Sequence, residues 1–147
     1  MRVRFSMSCL LAVAVLLAQG TVLLGTQAGE LTVSATYKGK GVVDETHEIS
    51  VFLFDHPNPT AESMPMMMQA ITKNGASATF KGLGATPVYV VAVYDEKASY
   101  DGNSGPPPDG TPWATYGKAG KPIAVSPAAG AKVTMAFDDS QRFGSKK

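Results

Sequence analysis

Apolar and polar residues alternate along most of the chain beyond residue 30. From Leu31 to Tyr37 every second residue is apolar and the residues between them are Thr or Ser, which is the period-two pattern of a half-buried strand. Residues 49–54 carry apolar side chains on both faces, which predicts a central strand. Residues 88–94 form the most β-prone run. Because no segment sustains a 3.6-residue apolar period, the sequence predicts an all-β fold.

Turn residues divide this pattern into seven short strands. Asn74-Gly75 is the strongest short-range signal for a hairpin, and it predicts that the third and fourth strands pair with each other. Residues 127–130 predict a second turn, between the last two strands. Spacing of this kind is typical of a seven-stranded antiparallel sandwich. The predicted strands are 31–37, 49–54, 66–72, 76–80, 88–94, 122–126 and 132–137.

The segment from 96 to 121 is long and has no strand pattern. Connections of this length are usually functional or disordered, and the sequence leaves open whether this one is ordered. It contains the single tryptophan of the chain, Trp113, with Tyr100 and Tyr116 on either side. Exposed loop aromatics can stack on sugars or anchor a protein partner, so these three residues form a candidate binding surface. Alternatively, Trp113 folds back to close the open end of the sandwich.

An apolar run at residues 10–24 follows Arg2 and Arg4 and is followed by small residues up to Ala28. A basic start, an apolar middle and a small-residue exit are typical of a secretory signal peptide. We therefore expect a signal helix in 1–28, a β-sandwich domain in 29–139 and a flexible tail in 140–147. The alternative is a retained membrane anchor. After cleavage no membrane span is expected, and the protein is expected to be secreted or periplasmic.

Charge and cysteine content exclude several function classes. Removing Arg2 and Arg4 leaves 11 basic residues against 12 acidic ones, so there is no basic surface for nucleic acid. The lone Cys9 lies within the predicted signal peptide, and the processed chain therefore has no disulfide or thiol chemistry. No nucleophile motif or zinc-protease motif occurs, and we expect that the protein is not an enzyme.

Two metal sites are alternatives to a cofactor-free module. Carboxylate and amide oxygens are the ligands that calcium prefers, and the loop 95–109 offers four residues that carry them. Such residues are also ordinary turn residues. The candidate calcium ligands are Asp95, Asp101, Asn103 and Asp109.

Thioethers and imidazoles predict a copper site instead. Methionines also fill irregular apolar gaps. In a strand, Met66 and Met68 would share one face while Met67 points away. The candidate copper ligands are His47, His56, Met64, Met66 and Met68.

Three short motifs resemble transthyretin-like or carboxypeptidase-regulatory-like β-sandwich domains. They are Thr72-Lys73-Asn74-Gly75, Phe80-Lys81-Gly82-Leu83 and Tyr89-Val90-Val91. The chain is also similar to small exported bacterial proteins of unknown function over about 31–138, although Thr86-Pro87 replaces the usual glycine before the Tyr strand. The resemblance implies a seven-stranded, Ig-like sandwich without chemistry of its own. We therefore expect an exported, non-catalytic binding or accessory module with a protein or carbohydrate partner.

Overall fold

A computed structural model describes residues 29–118 and 121–144 of the chain. The predicted signal peptide, 1–28, and the last three residues lie outside the described residues. The described part is all-β and contains no helix, so it holds no helix that could cross a bilayer. Its strands are β1 (Gly29–Tyr37), β2 (Ile49–Phe54), β3 (Met67–Ile71), β4 (Ser77–Leu83), β5 (Tyr89–Tyr94), β6 (Trp113–Thr115), β7 (Gly117–Lys118), β8 (Lys121–Pro122) and β9 (Ala131–Phe137).

Two open sheets carry seven of these strands. One sheet has three strands in the order β4-β1-β9, and the other has four in the order β3-β2-β5-β6. The strands β7 and β8 form a separate two-stranded ribbon. The predicted central position of residues 49–54 is confirmed, since β2 lies between β3 and β5 and all its residues are buried.

One apolar core joins the two sheets. Leu31 and Phe80 enter it from the three-stranded sheet, while Val51 and Val90 enter it from the four-stranded sheet, and all four are fully buried. In β1 buried and partly exposed residues alternate along its whole length, as the period-two pattern predicts. The alternation in the sequence therefore indicates which face of β1 meets the core.

The predicted hairpin at Asn74-Gly75 is wrong. The strands on either side of this turn lie in different sheets, because β3 pairs with β2 and β4 pairs with β1. The Asn74 side chain binds the backbone of Tyr37 instead of closing a hairpin: its Oδ1 accepts from the Tyr37 N–H at 2.8 Å, and its Nδ2 donates to the Tyr37 carbonyl at 2.8 Å. Gly75 has φ of +77°, which suits a glycine. The turn thus carries the chain from one sheet to the other.

The predicted antiparallel pair of 122–126 with 132–137 is also wrong. Strand β9 runs parallel to β1, with Leu31 opposite Ala131 and Tyr37 opposite Phe137. Most of 122–126 is not strand, and Val125 forms only an isolated bridge to Val88. The turn after Pro127 is held by β1, since the Ala128 N–H donates to the Glu30 carbonyl. This contact directs the last strand toward β1.

The sequence pattern suggested that the long segment from 96 to 121 contains no strand, and this prediction is wrong. The segment contributes β6 to the edge of the four-stranded sheet and also contains β7. Strand β6 has only three residues, and Trp113 lies opposite Val93 of β5. Because a three-residue strand is too short to display clear alternation, its pattern was not visible in the sequence.

Candidate functional site

The outer face of the four-stranded sheet is apolar. Along β2 and β5 the residues between the core positions turn to this face, and they include Phe52, Phe54, Val91 and Val93. They form a second apolar cluster, separate from the main core, with Tyr100. A sheet with one face in the core usually turns polar residues outward, so this face departs from the ordinary pattern.

A cleft of about 640 Å³ lies over this cluster. Phe52, Phe54, Val91 and Val93 form its floor, and the walls are residues from 59–68, from 100–107, Trp113 and Phe143. Ligand sites in proteins commonly occupy about 300–1,000 Å³ and have mainly apolar and aromatic linings. We refer to this feature as the outer cleft.

Trp113 stands at the β6 side of the outer cleft and is half-buried. Its indole ring meets the edge of the Phe143 ring at a centroid distance of 6.2 Å. The indole Nε1 is buried and has no hydrogen-bond acceptor among the described residues. Trp113 therefore lines the outer face of a sheet, in a position different from the end of the fold that the sequence suggested.

Residues 141–143 pack beside Trp113, although the sequence placed them in a flexible tail. The Trp113 N–H donates to the Gln141 carbonyl at 3.1 Å, and the Phe143 N–H donates to the Thr111 carbonyl at 2.9 Å. The Arg142 guanidinium binds Glu96 at 2.8 Å. These contacts bring Phe143 to the wall of the outer cleft.

Tyr100 is buried and forms part of the opposite wall. Its backbone N–H donates to Asp95 Oδ2 at 2.8 Å, and its hydroxyl donates to the Gly105 carbonyl at 3.0 Å. Burial, and secondarily the charge of Asp101, raises the pKa of Tyr100. The hydroxyl therefore stays protonated at neutral pH and anchors the loop.

Tyr116 does not join Trp113 and Tyr100. It is half-buried and packs against the main core together with Ala114. The alternation through β6 explains this, because Trp113 turns outward while Ala114 and Tyr116 turn inward. The structure thus brings two of the three candidate aromatic residues to the outer cleft.

More methionines line one cleft than strand alternation predicts. Strand β3 begins at Met67, so Met64 and Met66 lie in the preceding loop and are not bound by strand alternation. Met64, Met66 and Met67 are exposed by 84%, 48% and 37%. Together with Met68 they line the outer cleft.

The two histidines of the copper prediction lie at opposite ends of β2. The His56 ring meets Phe54 at 5.8 Å, and its Nε2 binds Ser63 Oγ at 3.0 Å. His47 Nδ1 binds Asp44 Oδ1 at 3.1 Å. A six-residue strand is about 20 Å long, and therefore a single ion cannot contact both imidazoles.

The calcium candidates are divided among several positions. Asp95 and Asp101 line a second, acidic depression with Glu45 and Glu48. Asn103 lies at the outer cleft instead. Within residues 29–118 and 121–144 no group of three or more His, Cys, Asp or Glu is arranged to hold a metal ion. The calcium site stays a prediction.

Asp101 and Asp109 each have a local role. Asp101 accepts hydrogen bonds from the N–H groups of Asn103 and Ser104 and from the Ser104 hydroxyl. These bonds lower the pKa of Asp101, and they form the Asx turn that Asp commonly nucleates. The carboxylate of Asp109 lies against Gly144.

Several lining residues were not identified from the sequence. The sequence pattern indicates Phe52 and Phe54 only as the second apolar face of a central strand, and Val91 and Val93 only as part of the most β-prone run. That second face was the available signal, since an apolar face directed away from the core must be covered or left as a site. Phe143 gave no signal because its position depends on backbone pairing far along the chain.

Comparison with known proteins gives no match of any kind: no family model, no curated protein and no solved structure matches the chain.

Proposed function

We propose that this chain is an exported, non-catalytic binding module, and that the outer cleft takes an apolar ligand. Export follows from the predicted signal peptide. A protein or carbohydrate partner, as expected from the loop aromatics, would supply the apolar group of this ligand.

For the domain itself we propose a seven-stranded sandwich of the transthyretin-like kind. Seven strands lie in two sheets that contribute to one core, which supports this assignment. The three motifs around Asn74, Phe80 and Tyr89 support it as well. Sandwiches of this type host many functions, so the function is argued from the cleft and not from the fold.

The observation that carries the proposal is the pairing of an apolar sheet face with an open cleft above it. Phe52 and Phe54 are buried beneath the loops, yet the space over them is large enough for a small organic molecule. Aromatic and methionine side chains bind mainly through contact area. This lining suits binding better than acid–base chemistry, and it supports the non-catalytic assignment.

The charge of the lining restricts the ligand further. Glu62 is the one carboxylate among the lining residues, and no Lys, Arg or His from the described chain lines the cleft. A hydrogen bond from Thr60 lowers the pKa of Glu62, so this side chain is ionised at neutral pH. We therefore propose a neutral or cationic ligand and not an anionic one.

Trp113 provides an internal reporter, because it is the single tryptophan of the chain and lines the cleft. The test is a titration with N-phenyl-1-naphthylamine, a neutral apolar dye that accepts energy from tryptophan. We expect saturable dye emission together with quenching of Trp113. Met66→Lys should weaken binding about tenfold, because it places an ammonium group at an apolar surface.

The matched control is Ile123→Lys. Ile123 is 44% exposed, similar to the 48% of Met66, and it does not line the outer cleft. This variant should bind the dye as the parent protein does. Dye binding that is absent, or equally affected by both substitutions, would contradict the proposal.

A soft monovalent metal ion is the second candidate ligand, because four methionines line the same cleft. Thioethers select Cu(I), and His56 near the loop could add an imidazole. The test is titration with Ag(I), a redox-stable analogue of Cu(I), monitored by Trp113 fluorescence. The triple variant Met64→Leu, Met66→Leu, Met68→Leu keeps the apolar shape but removes three sulfur ligands.

The two candidates give opposite results with this triple variant. If the site binds metal, Ag(I) binding is lost while dye binding stays. If Ag(I) binds the variant and the parent equally, the thioethers are not ligands and the metal function is eliminated.

A further inference from the structure

The two larger sheets end in four edge strands, namely β4, β9, β3 and β6. An edge strand presents unpaired backbone N–H and C=O groups, and these can pair with a strand from another molecule. Proteins prevent such pairing with charges, prolines, bulges, very short strands or covering segments. The four edges differ in how they are protected.

Three of the edges carry such protection. Strand β4 contains Lys81, its pairing with β1 has a register shift, and its Thr79 carbonyl accepts a hydrogen bond from Gln69 Nε2 at 2.7 Å. Strand β9 carries the exposed Lys132. Strand β6 has three residues and is covered by Gln141, whose carbonyl accepts from the Trp113 N–H.

Strand β3 carries none of these devices. Its sequence, MMQAI, has no charged residue and no proline. It pairs with β2 in continuous register over all five residues, without a bulge. Alternate backbone groups of such a strand point away from its neighbour, and no described backbone group pairs with β3 on that side.

An exposed apolar patch continues from the start of this edge. Met64, Met66 and Met67 are three of the five large apolar residues that are exposed in the described chain. An uncharged edge next to an apolar patch is typical of a protein–protein contact.

We propose that β3 is a pairing edge on which two copies of this chain associate, β3 against β3 and antiparallel, about a two-fold axis near Gln69. In this arrangement Met67 faces Ile71 of the second copy, and Met68 faces Ala70 of the second copy. A strand with charged residues would bring like charges together across such an axis. The strand β3 has none, so no charge repulsion opposes its pairing with the same strand of a second copy.

This pairing closes on itself. Each copy uses the one unprotected edge of its two larger sheets in the described residues, and the protected edges of β4, β9 and β6 remain outside the contact. An isologous two-fold contact gives a dimer and not a fibre. The interface is small, because five residues and a few methionines form it, and small interfaces are typically weak. Association is therefore concentration-dependent.

The test is sedimentation velocity of the full chain over a wide concentration range. The parent protein should shift from monomer to dimer as concentration rises. Ala70→Lys should remain monomeric, because Ala70 is exposed on β3 and the two lysines become diagonal neighbours on one face of the strand pair, where like charges repel. Thr134→Lys is the matched control: it adds the same charge at an exposed position of the β9 edge and should dimerise like the parent.

A mixture of Ala70→Lys with Ala70→Glu should restore the dimer as a heterodimer, since opposite charges then meet across the axis. This result separates charge repulsion from loss of the fold. A parent protein that stays monomeric, an Ala70→Lys variant that dimerises normally, or growth beyond dimers would each overturn the proposal.

Discussion

At the scale of single residues, Glu48 is a carboxylate that lies in the acidic depression. Glu48 is half-buried beside Asp95, and its backbone carbonyl accepts from the Asp95 N–H at 2.9 Å. Burial, and secondarily the charge of Asp95, raises the pKa of Glu48 above its ordinary value of 4.5. The ionised form is therefore disfavoured in the folded protein relative to the unfolded chain.

We predict that Glu48→Gln raises the melting temperature at pH 7. A carboxyl whose pKa is raised by folding destabilises the native state above that pKa, and this penalty disappears as pH falls below the ordinary value of 4.5. The gain over the parent should therefore vanish at lower pH. Thermal unfolding at pH 7 and below pH 4.5 measures it.

Glu45→Gln removes the same charge from an exposed neighbour in the same depression, and it should change the melting temperature much less. If Glu48→Gln lowers the melting temperature at pH 7, the ionised carboxylate is stabilising and this explanation is incorrect.

At the scale of elements, the turn between β3 and β4 joins the two sheets and does not form a hairpin. The Asn74 side chain acts as both acceptor and donor to the backbone of Tyr37, the last residue of β1. The Gly75 N–H donates to the Ala35 carbonyl at 3.1 Å. Three hydrogen bonds thus tie the turn to the end of β1, on the same edge of β1 that pairs with β4.

We predict that Asn74→Ala destabilises the protein by about 1–2 kcal/mol, because a net hydrogen bond contributes about 0.5–1.5 kcal/mol. Urea unfolding measures this change. Lys73→Ala is the control, since Lys73 is exposed in the same turn and no side-chain hydrogen bond is lost. Equal stability of both variants would show that the Asn74 side chain does not hold the turn.

At the scale of the whole molecule, the two sheets share one core. Phe80 lies in the three-stranded sheet and is fully buried in that core, and Val90 and Ala92 of the four-stranded sheet belong to the same cluster. Trp113, in contrast, lies on the outer face of the four-stranded sheet. A common core predicts that both sheets unfold together.

We predict that Phe80→Ala lowers the free energy of unfolding by about 3–5 kcal/mol, the usual cost of removing a buried Phe ring. The loss should be the same when unfolding is followed by Trp113 fluorescence and by far-ultraviolet circular dichroism. Trp113 fluorescence reports on the edge strand β6, whereas circular dichroism reports on the strand content of the whole protein. Separate transitions would show that the sheets unfold independently.

The sequence indicates several residues of the candidate site by their type, but it does not show that they meet at one cleft. Tyr100, Trp113 and Met68 were each singled out by residue type, and they meet at one cleft. Tyr116 was singled out for the same reason, but it packs against the main core. Residue type shows which side chains can bind a ligand, whereas the face on which each side chain emerges depends on the strand that carries it.

The sequence by itself determined several of the strands and the faces that they turn to the core. Alternation from Leu31 to Tyr37 and the two apolar faces of 49–54 are local patterns, and the corresponding strands form with the predicted burial. Tertiary structure alone decided which strands pair. Asn74-Gly75 joins two sheets, β9 runs parallel to β1, and Phe143 reaches the cleft through backbone pairing. The alternation of side chains along a strand depends only on neighbouring residues. The backbone edge of a strand can pair with any other strand, so packing in the shared core decides which strands pair.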